Sequence, residues 1–253
     1  MDGGRDIKAK LKRSRPVQVA DQIKAWVVER DLRQGDKLPN EAEMIALFKV
    51  SKGTVREALR ILEAQGLIVT RTGPGGGSFV GEVSQDRALS LLGNYFYFQD
   101  LSLADIYQMR KALEPELAAG LAGRLAPDQL DVLSGLVRAH DTPAQSPEEE
   151  KAEHIASLAF HAKLAEFAQN PLLGFVIAFM VRMLTEMTVY RKLYDVPNHE
   201  LWRRGRGYQL DLIEALRRGD ATAARETMAA HMASADELMQ RQEARLARRF
   251  LPD

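Results

Sequence analysis

The stretch LPNEAEMIALFKVSKGTVREALRILEAQGLIVTRTGPGGGSFV, residues 38–80, contains two helix starts, two helix stops and a glycine cluster in 43 residues. Asn40 with Glu43 three positions later forms a capping box, and Met44, Leu47 and Phe48 give the helix behind it an apolar face. Lys49 and Val50 make a tight break. Ser51 then caps a second helix whose Val55, Ala58, Leu59 and Leu62 face inward, and Gly66 stops it. Two short helices joined by a brief turn are the skeleton of a helix-turn-helix unit. Immediately upstream, VQVADQIKAWVVER (residues 17–30) places Val19, Ile23, Trp26 and Val27 at helical spacing and supplies a third helix to pack behind the pair.

The outward face of the second helix carries the chemistry. Lys52, Arg56 and Arg60 recur every four residues, so they form one basic stripe opposite the apolar one. Gly53 leaves room for close backbone approach and Thr54 offers a hydroxyl. Such a helix can enter a DNA major groove with its first turn against base edges, although the stripe alone also suits a solvated amphipathic helix.

The residues after Gly66 decide between the two. LIVTRT is a β-branched run, GPGGG a tip that tolerates positive φ, and SFVGEV a second strand, which together make a hairpin. A phosphate loop of the Walker type needs a lysine and then Ser or Thr after its last glycine and opens a helix; here Ser78 and Phe79 follow and a strand begins. The dinucleotide pattern GxGxxG fails as well, because Ser78 stands where its third glycine belongs. A hairpin directly after a helix-turn-helix is the wing of a winged helix, whose backbone amides reach phosphates or a narrow groove.

Composition divides the chain the same way. Residues 1–80 hold 15 Lys and Arg against 10 Asp and Glu, and the remainder 20 against 25, so a net charge of zero conceals a basic part and an acidic part. Residues 1–15 read as a basic flexible arm, 16–81 as the winged helix-turn-helix, and 82–253 as helix after helix. Leu103 to Leu125, Pro127 to Ala139, Glu148 to Gln169, Pro171 to Leu193, Glu200 to Arg218 and Ala221 to Arg248 are the expected elements of an all-α bundle of six or seven helices. The fold class is therefore mainly α, with three helices and a β-hairpin wing ahead of the bundle. With no cysteine there are no disulfides or thiolate ligands. MDGGRDIKAKLKRSRP lacks the apolar core of a secretory signal, and LLGFVIAFMV (172–181) is about half a membrane span, so a cytoplasmic location without membrane contact is expected.

Residues 38–80 resemble the DNA-binding domain of GntR-type bacterial transcription regulators, whose pattern runs LPSE, VSR, VREAL, a helix-ending GL and a glycine-tipped wing before FV. The resemblance implies that Lys52, Thr54, Arg56 and the wing glycines Gly76 and Gly77 lie at the DNA, with Gly53 and Arg60 on the same face. Ala42 stands where the family carries an arginine, and Lys52 replaces the arginine of VSR, which removes a planar fork suited to guanine. Farther on, YQMRKALEPELAAGLA, FHAKLAEFAQNPLL and EALRRGDATAARETMAAHM resemble the effector-binding (FCD) domain of the family's FadR branch.

That branch implies a divalent metal at four positions, which on this chain are Ser157, His161, Gln209 and His231. Only His161 and His231 are metal ligands by type; a hydroxyl and an amide complete the set poorly, so no cofactor is firmly expected. Arg110 matches the family arginine that points into the effector cavity. The resemblance thus implies a small organic acid held by Arg110, with Ser157, His161, Gln209 and His231 as hydrogen-bonding partners. On the residues alone, Arg110 bridging Glu114 or Glu116 on its own helix remains open. A homodimer on a palindromic double-stranded operator follows from the same resemblance. Two other classes stay in view, an acid-base or metal enzyme using the histidines and a helical adaptor. The chain has neither a complete catalytic triad nor a nucleotide loop, so a non-enzymatic regulator is the expectation.

Overall fold

The cap signals act where the sequence puts them. A computed structural model describes residues 14–82, 84–99, 101–190 and 198–249; the arm expected over residues 1–15 lies almost wholly outside them. Helices α1 (Arg15–Glu29), α2 (Glu41–Phe48) and α3 (Lys52–Ala64) come first. The Asn40 side chain accepts from the N–H groups of Ala42 and Glu43 at 2.9 and 3.0 Å, and Glu43 accepts the Asn40 N–H at 2.8 Å, completing the box. Lys49 ends α2 in the left-handed region at φ 51°. The Ser51 hydroxyl accepts the Thr54 N–H and starts α3, which Gly66 stops at φ 76°.

Val19, Ile23, Leu38, Met44, Val55, Ala58, Leu62 and Ile68 form the core of this head. Leu47, expected to face inward, is 46% exposed. A helix of two turns presents one narrow seam, and Met44 and Phe48, four apart, occupy it. Strands β1 (Ile68–Arg71) and β2 (Gly77–Val80) pair antiparallel, Ile68 opposite Val80 and Arg71 opposite Gly77. Residues 36–38 extend the ribbon on the other side of β2: the Val80 N–H donates to the Asp36 carbonyl and the Leu38 N–H to that of Ser78, both at 2.8 Å.

The chain divides into two units, residues 1–90 and 91–253. Helix α4 (Gln85–Tyr97) spans the division and is not among the helices expected individually; Gly93 within it weakens the sequence signal. The second unit continues with α5 (Leu103–Leu121), α6 (Pro127–Arg138), α7 (Pro147–Glu166), α8 (Pro171–Tyr190), α9 (His199–Arg218) and α10 (Ala221–Arg249). Side chains of Ser102, Ser146, Asn170, Asn198 and Asp220 accept first-turn N–H groups at five of these starts. Helix α5 stops four residues before the expected Leu125. Gly123 turns the chain at φ 69°, donates to the Leu216 carbonyl at 3.0 Å and packs against Gly219, so there is no room to continue. The expected end of α8 at Leu193 lies outside the described residues.

Helix α5 packs along α10 and also meets α7, α8 and α9, which makes it the central helix of the bundle. Leu103, Tyr107, Leu121, Phe160, Leu164, Ile177 and Met232 are among the buried residues around it. Among the described residues, no helix is long and apolar enough to cross a membrane.

Candidate nucleic-acid interface and ligand cavity

Helix α3 presents its basic stripe outward. The side chains of Lys52, Arg56 and Arg60 are 63, 55 and 76% exposed. Arg56 donates from Nε to Glu41 Oε1 at 2.8 Å, and Lys52 Nζ is 4.0 Å from Glu41 Oε2, so one carboxylate at the start of α2 holds both cations. The Arg56 hydrogen bond, ahead of the charges, lowers the Glu41 pKa. Thr54 shares a 2.9 Å hydrogen bond with the Ser51 hydroxyl, which fixes the first turn. A Cβ built on Gly53 would meet only Ser51 Oγ, at 4.0 Å; nothing inside the protein requires glycine there.

The wing glycines differ from Gly53. A Cβ on Gly76 would lie 2.5 Å from the Arg71 carbonyl oxygen, and Gly77 has φ 139°, so the hairpin itself demands glycine at both. Lys37 and Arg71 lie over the Phe79 ring at 5.8 and 4.7 Å, placing two further cations on the wing.

In the second unit α5 to α10 all contribute to a cavity whose empty space, open mouth included, is about 810 Å³. Arg110, Ser157, His161, Gln209 and His231 all line it. Arg110, 1% exposed, donates from Nε to Glu114 Oε1 at 2.5 Å, while its Nη2 has no hydrogen-bond partner among the described residues. The bridge that the sequence left open is thus made to Glu114; Glu116 instead takes a bidentate pair with Arg225.

The second oxygen of Glu114 lies 2.5 Å from His161 Nδ1, and His161 Nε2 lies 3.2 Å from His231 Nε2. Burial lowers the pKa of both histidines, with the neighbouring charge a smaller influence, so both rings are neutral near pH 7. Their protons are then ordered. The Glu114 carboxylate, held well below the usual range by the Arg110 charge and the His161 hydrogen bond despite its burial, takes the Nδ1–H of His161; His161 Nε2 is left to accept the Nε2–H of His231. Gln209 donates from Nε2 to both the carbonyl and the hydroxyl of Ser157 at 3.3 Å.

These donors do not fit the metal site implied by resemblance. His161 and His231 bond each other, the Gln209 amide turns its N–H group toward Ser157, and among the described residues no carboxylate reaches the pair's facing nitrogens. Among the described residues, no group of three or more His, Asp or Glu is placed to hold an ion.

At another part of the lining stand Glu150 and Glu153 of α7 with His154. Glu150 accepts the Asn198 N–H at 3.0 Å through Oε1. Burial pushes Glu153 up to about 7, with Glu150 adding to it, and burial brings His154 down to about 4. Sequence reasoning missed Glu41, Glu150 and Glu153 and did not assign Glu114 its role. Only Glu114 had a local signal, its spacing of four from Arg110.

Residues 16–80 match the family described as "Bacterial regulatory proteins, gntR family", and residues 105–234, more than half of the chain, match the FCD domain. The HTH-type transcriptional repressor NanR of Escherichia coli K12 is 27% identical over 237 residues, covering 88% of this chain and 86% of its own. NanR of Shigella flexneri gives the same figures. The solved structure "Streptococcus agalactiae GntR" is 25% identical with a TM-score of 0.58, covering 88% of this chain and 99% of the other. The chain belongs to the gntR family of bacterial regulatory proteins, as a DNA-binding transcription regulator that joins a winged helix-turn-helix to an FCD effector domain.

Proposed function

We propose that a head over residues 16–81 reads a palindromic operator and that the unit over 82–253 carries both the homodimer contact and a small organic acid effector. Lys52, Gly53, Thr54, Arg56 and Arg60 enter the major groove, while Gly76 and Gly77 bring the wing backbone to phosphates. The exposed cationic face of α3 carries this reading: three cations on one face suit a polyanion, and the N-terminus of α3, from which that face starts, is itself favourable to an anion. Arg110 holds the acid through its free Nη2, with His161, His231, Gln209 and Ser157 around it.

Effector control then follows from differential binding. A ligand that prefers one arrangement of the bundle shifts the dimer toward it, and the two heads no longer match the operator half-sites. The NanR relatives are named repressors, which supports repression by occupancy here. Binding rather than catalysis, in the cytoplasm, is the role proposed.

The test is a scan of duplexes from the DNA flanking the gene by fluorescence anisotropy. Tight, salt-dependent binding to a palindrome, with two chains per duplex, is expected. Failure of every duplex to exceed binding to random DNA overturns the proposal.

A further inference from the structure

The charges lining the cavity are not evenly matched. Both of its arginines have carboxylate partners: Arg110 has Glu114, and Arg206 has Asp141. Its two glutamates have no arginine or lysine partner among the described residues; His199 is the basic group that acts on both, and Glu153 also accepts from the Ala144 backbone. Glu150 and Glu153 are each more than nine-tenths buried, yet neither forms an ion pair among the described residues, and Oε2 of each has no hydrogen-bond partner. An unpaired buried carboxylate is costly; protonation of Glu153, pushed up to about 7, relieves part of that cost, and a cation bound between the two free oxygens would relieve the rest.

We propose that Glu150 and Glu153 form a cation-accepting subsite, so that the effector carries a protonated amine as well as the acidic group that Arg110 takes. The inference rests on the proposed effector role of the cavity and adds a second recognition element to it. An ammonium offers three N–H donors, enough for both free carboxylate oxygens. Trp202 of α9 lines the same cavity; its Nε1–H is already used on the His140 carbonyl at 3.1 Å, which leaves the ring surface as a further contact for a cation. Elsewhere in the same lining the Nη2 of Arg110 and the Nε of Arg206 are buried donors in want of an acceptor oxygen. The two kinds of group ask for opposite partners, and the selected ligand is an amino acid or an acid with an amine on its chain.

Calorimetric titration of the full-length protein tests this with matched sets of four to six carbons: ω-aminocarboxylates, plain carboxylates and ω-hydroxycarboxylates. One aminocarboxylate is expected to bind at least about tenfold more tightly than both counterparts of its length, as a charge-assisted hydrogen bond predicts. The double variant Glu150→Gln/Glu153→Gln should lose that advantage while binding plain carboxylates within about twofold of wild type. Should the double variant lose its helical circular dichroism, Glu153→Gln alone serves the same comparison. Equal binding of amine, hydroxyl and plain acids, or an amine advantage that survives the substitutions, overturns the subsite and leaves the acid-effector reading standing. If no acid of any set binds at millimolar concentration, both fall together.

Discussion

The stripe on α3 and the cluster around Arg110 both consist of cations facing carboxylates, yet their surroundings make them opposites. On α3 the pairs with Glu41 sit in water, so each contributes at most about 1 kcal/mol and gives way readily to a competing phosphate. In the bundle, Arg110 and Glu114 are both 1% exposed, and the loss of either leaves the other buried without its charge partner. A reading surface needs charges that are cheap to re-pair. A sensing cavity needs charges that hold still until a ligand of the right chemistry arrives.

Removing one partner from each cluster breaks the comparison where it is strongest. Arg110→Ala should destabilise the second unit by about 3–5 kcal/mol in urea titrations, because Glu114 is left buried and ionised. Arg110→Met combined with Glu114→Gln should recover most of that loss. If the single variant costs no more than a surface substitution, the buried pair is not the constraint described.

The Glu153 carboxyl supplies the next effect. Its folded pKa, about 7, lies above the ordinary value of 4.5, so the folded state binds its proton more tightly. Its contribution is favourable below about pH 4.5 and is lost as pH rises through about 7. Glu153→Gln should therefore raise the melting temperature at pH 8 by a few degrees and change it little at pH 4.5. An equal shift at both pH values would contradict the burial argument.

Two smaller changes sharpen the surface side. Gly53→Ala should leave the melting temperature unchanged or raised, since the Cβ meets nothing closer than 4.0 Å, while weakening operator binding about tenfold by blocking backbone approach. Unchanged affinity would remove Gly53 from the interface. Glu41→Gln, measured on random duplex, should tighten binding no more than about fivefold, because it releases Arg56 and Lys52 from a weak exposed pair.

The same contrast explains what the sequence makes legible. The head is built from rules that act over a few residues: Asn40 to Glu43, Ser51 to Thr54, Gly66 at a helix stop, glycines at a hairpin tip. Each is readable in a single window, and each appears in the structure. Leu47 escapes because the width of a buried seam depends on the helices across it. In the bundle, helix existence is legible from periodicity, whereas the end of α5 depends on Gly123 meeting Gly219, almost a hundred residues away. Arg110, His161 and His231 line one cavity, but the proton order through Glu114 and the pair Glu150 and Glu153 emerge only when α5, α7, α9 and α10 are assembled.

The central claim is that α3 reads DNA through its basic stripe, and operator affinity measured against salt for wild type and Arg56→Ala tests it most directly. Wild type should show a steep linear fall of log affinity with log salt. The variant, folded by circular dichroism, should bind at least about tenfold more weakly with the slope reduced by about one. An Arg56→Ala protein with wild-type affinity and an unchanged salt slope would contradict the account.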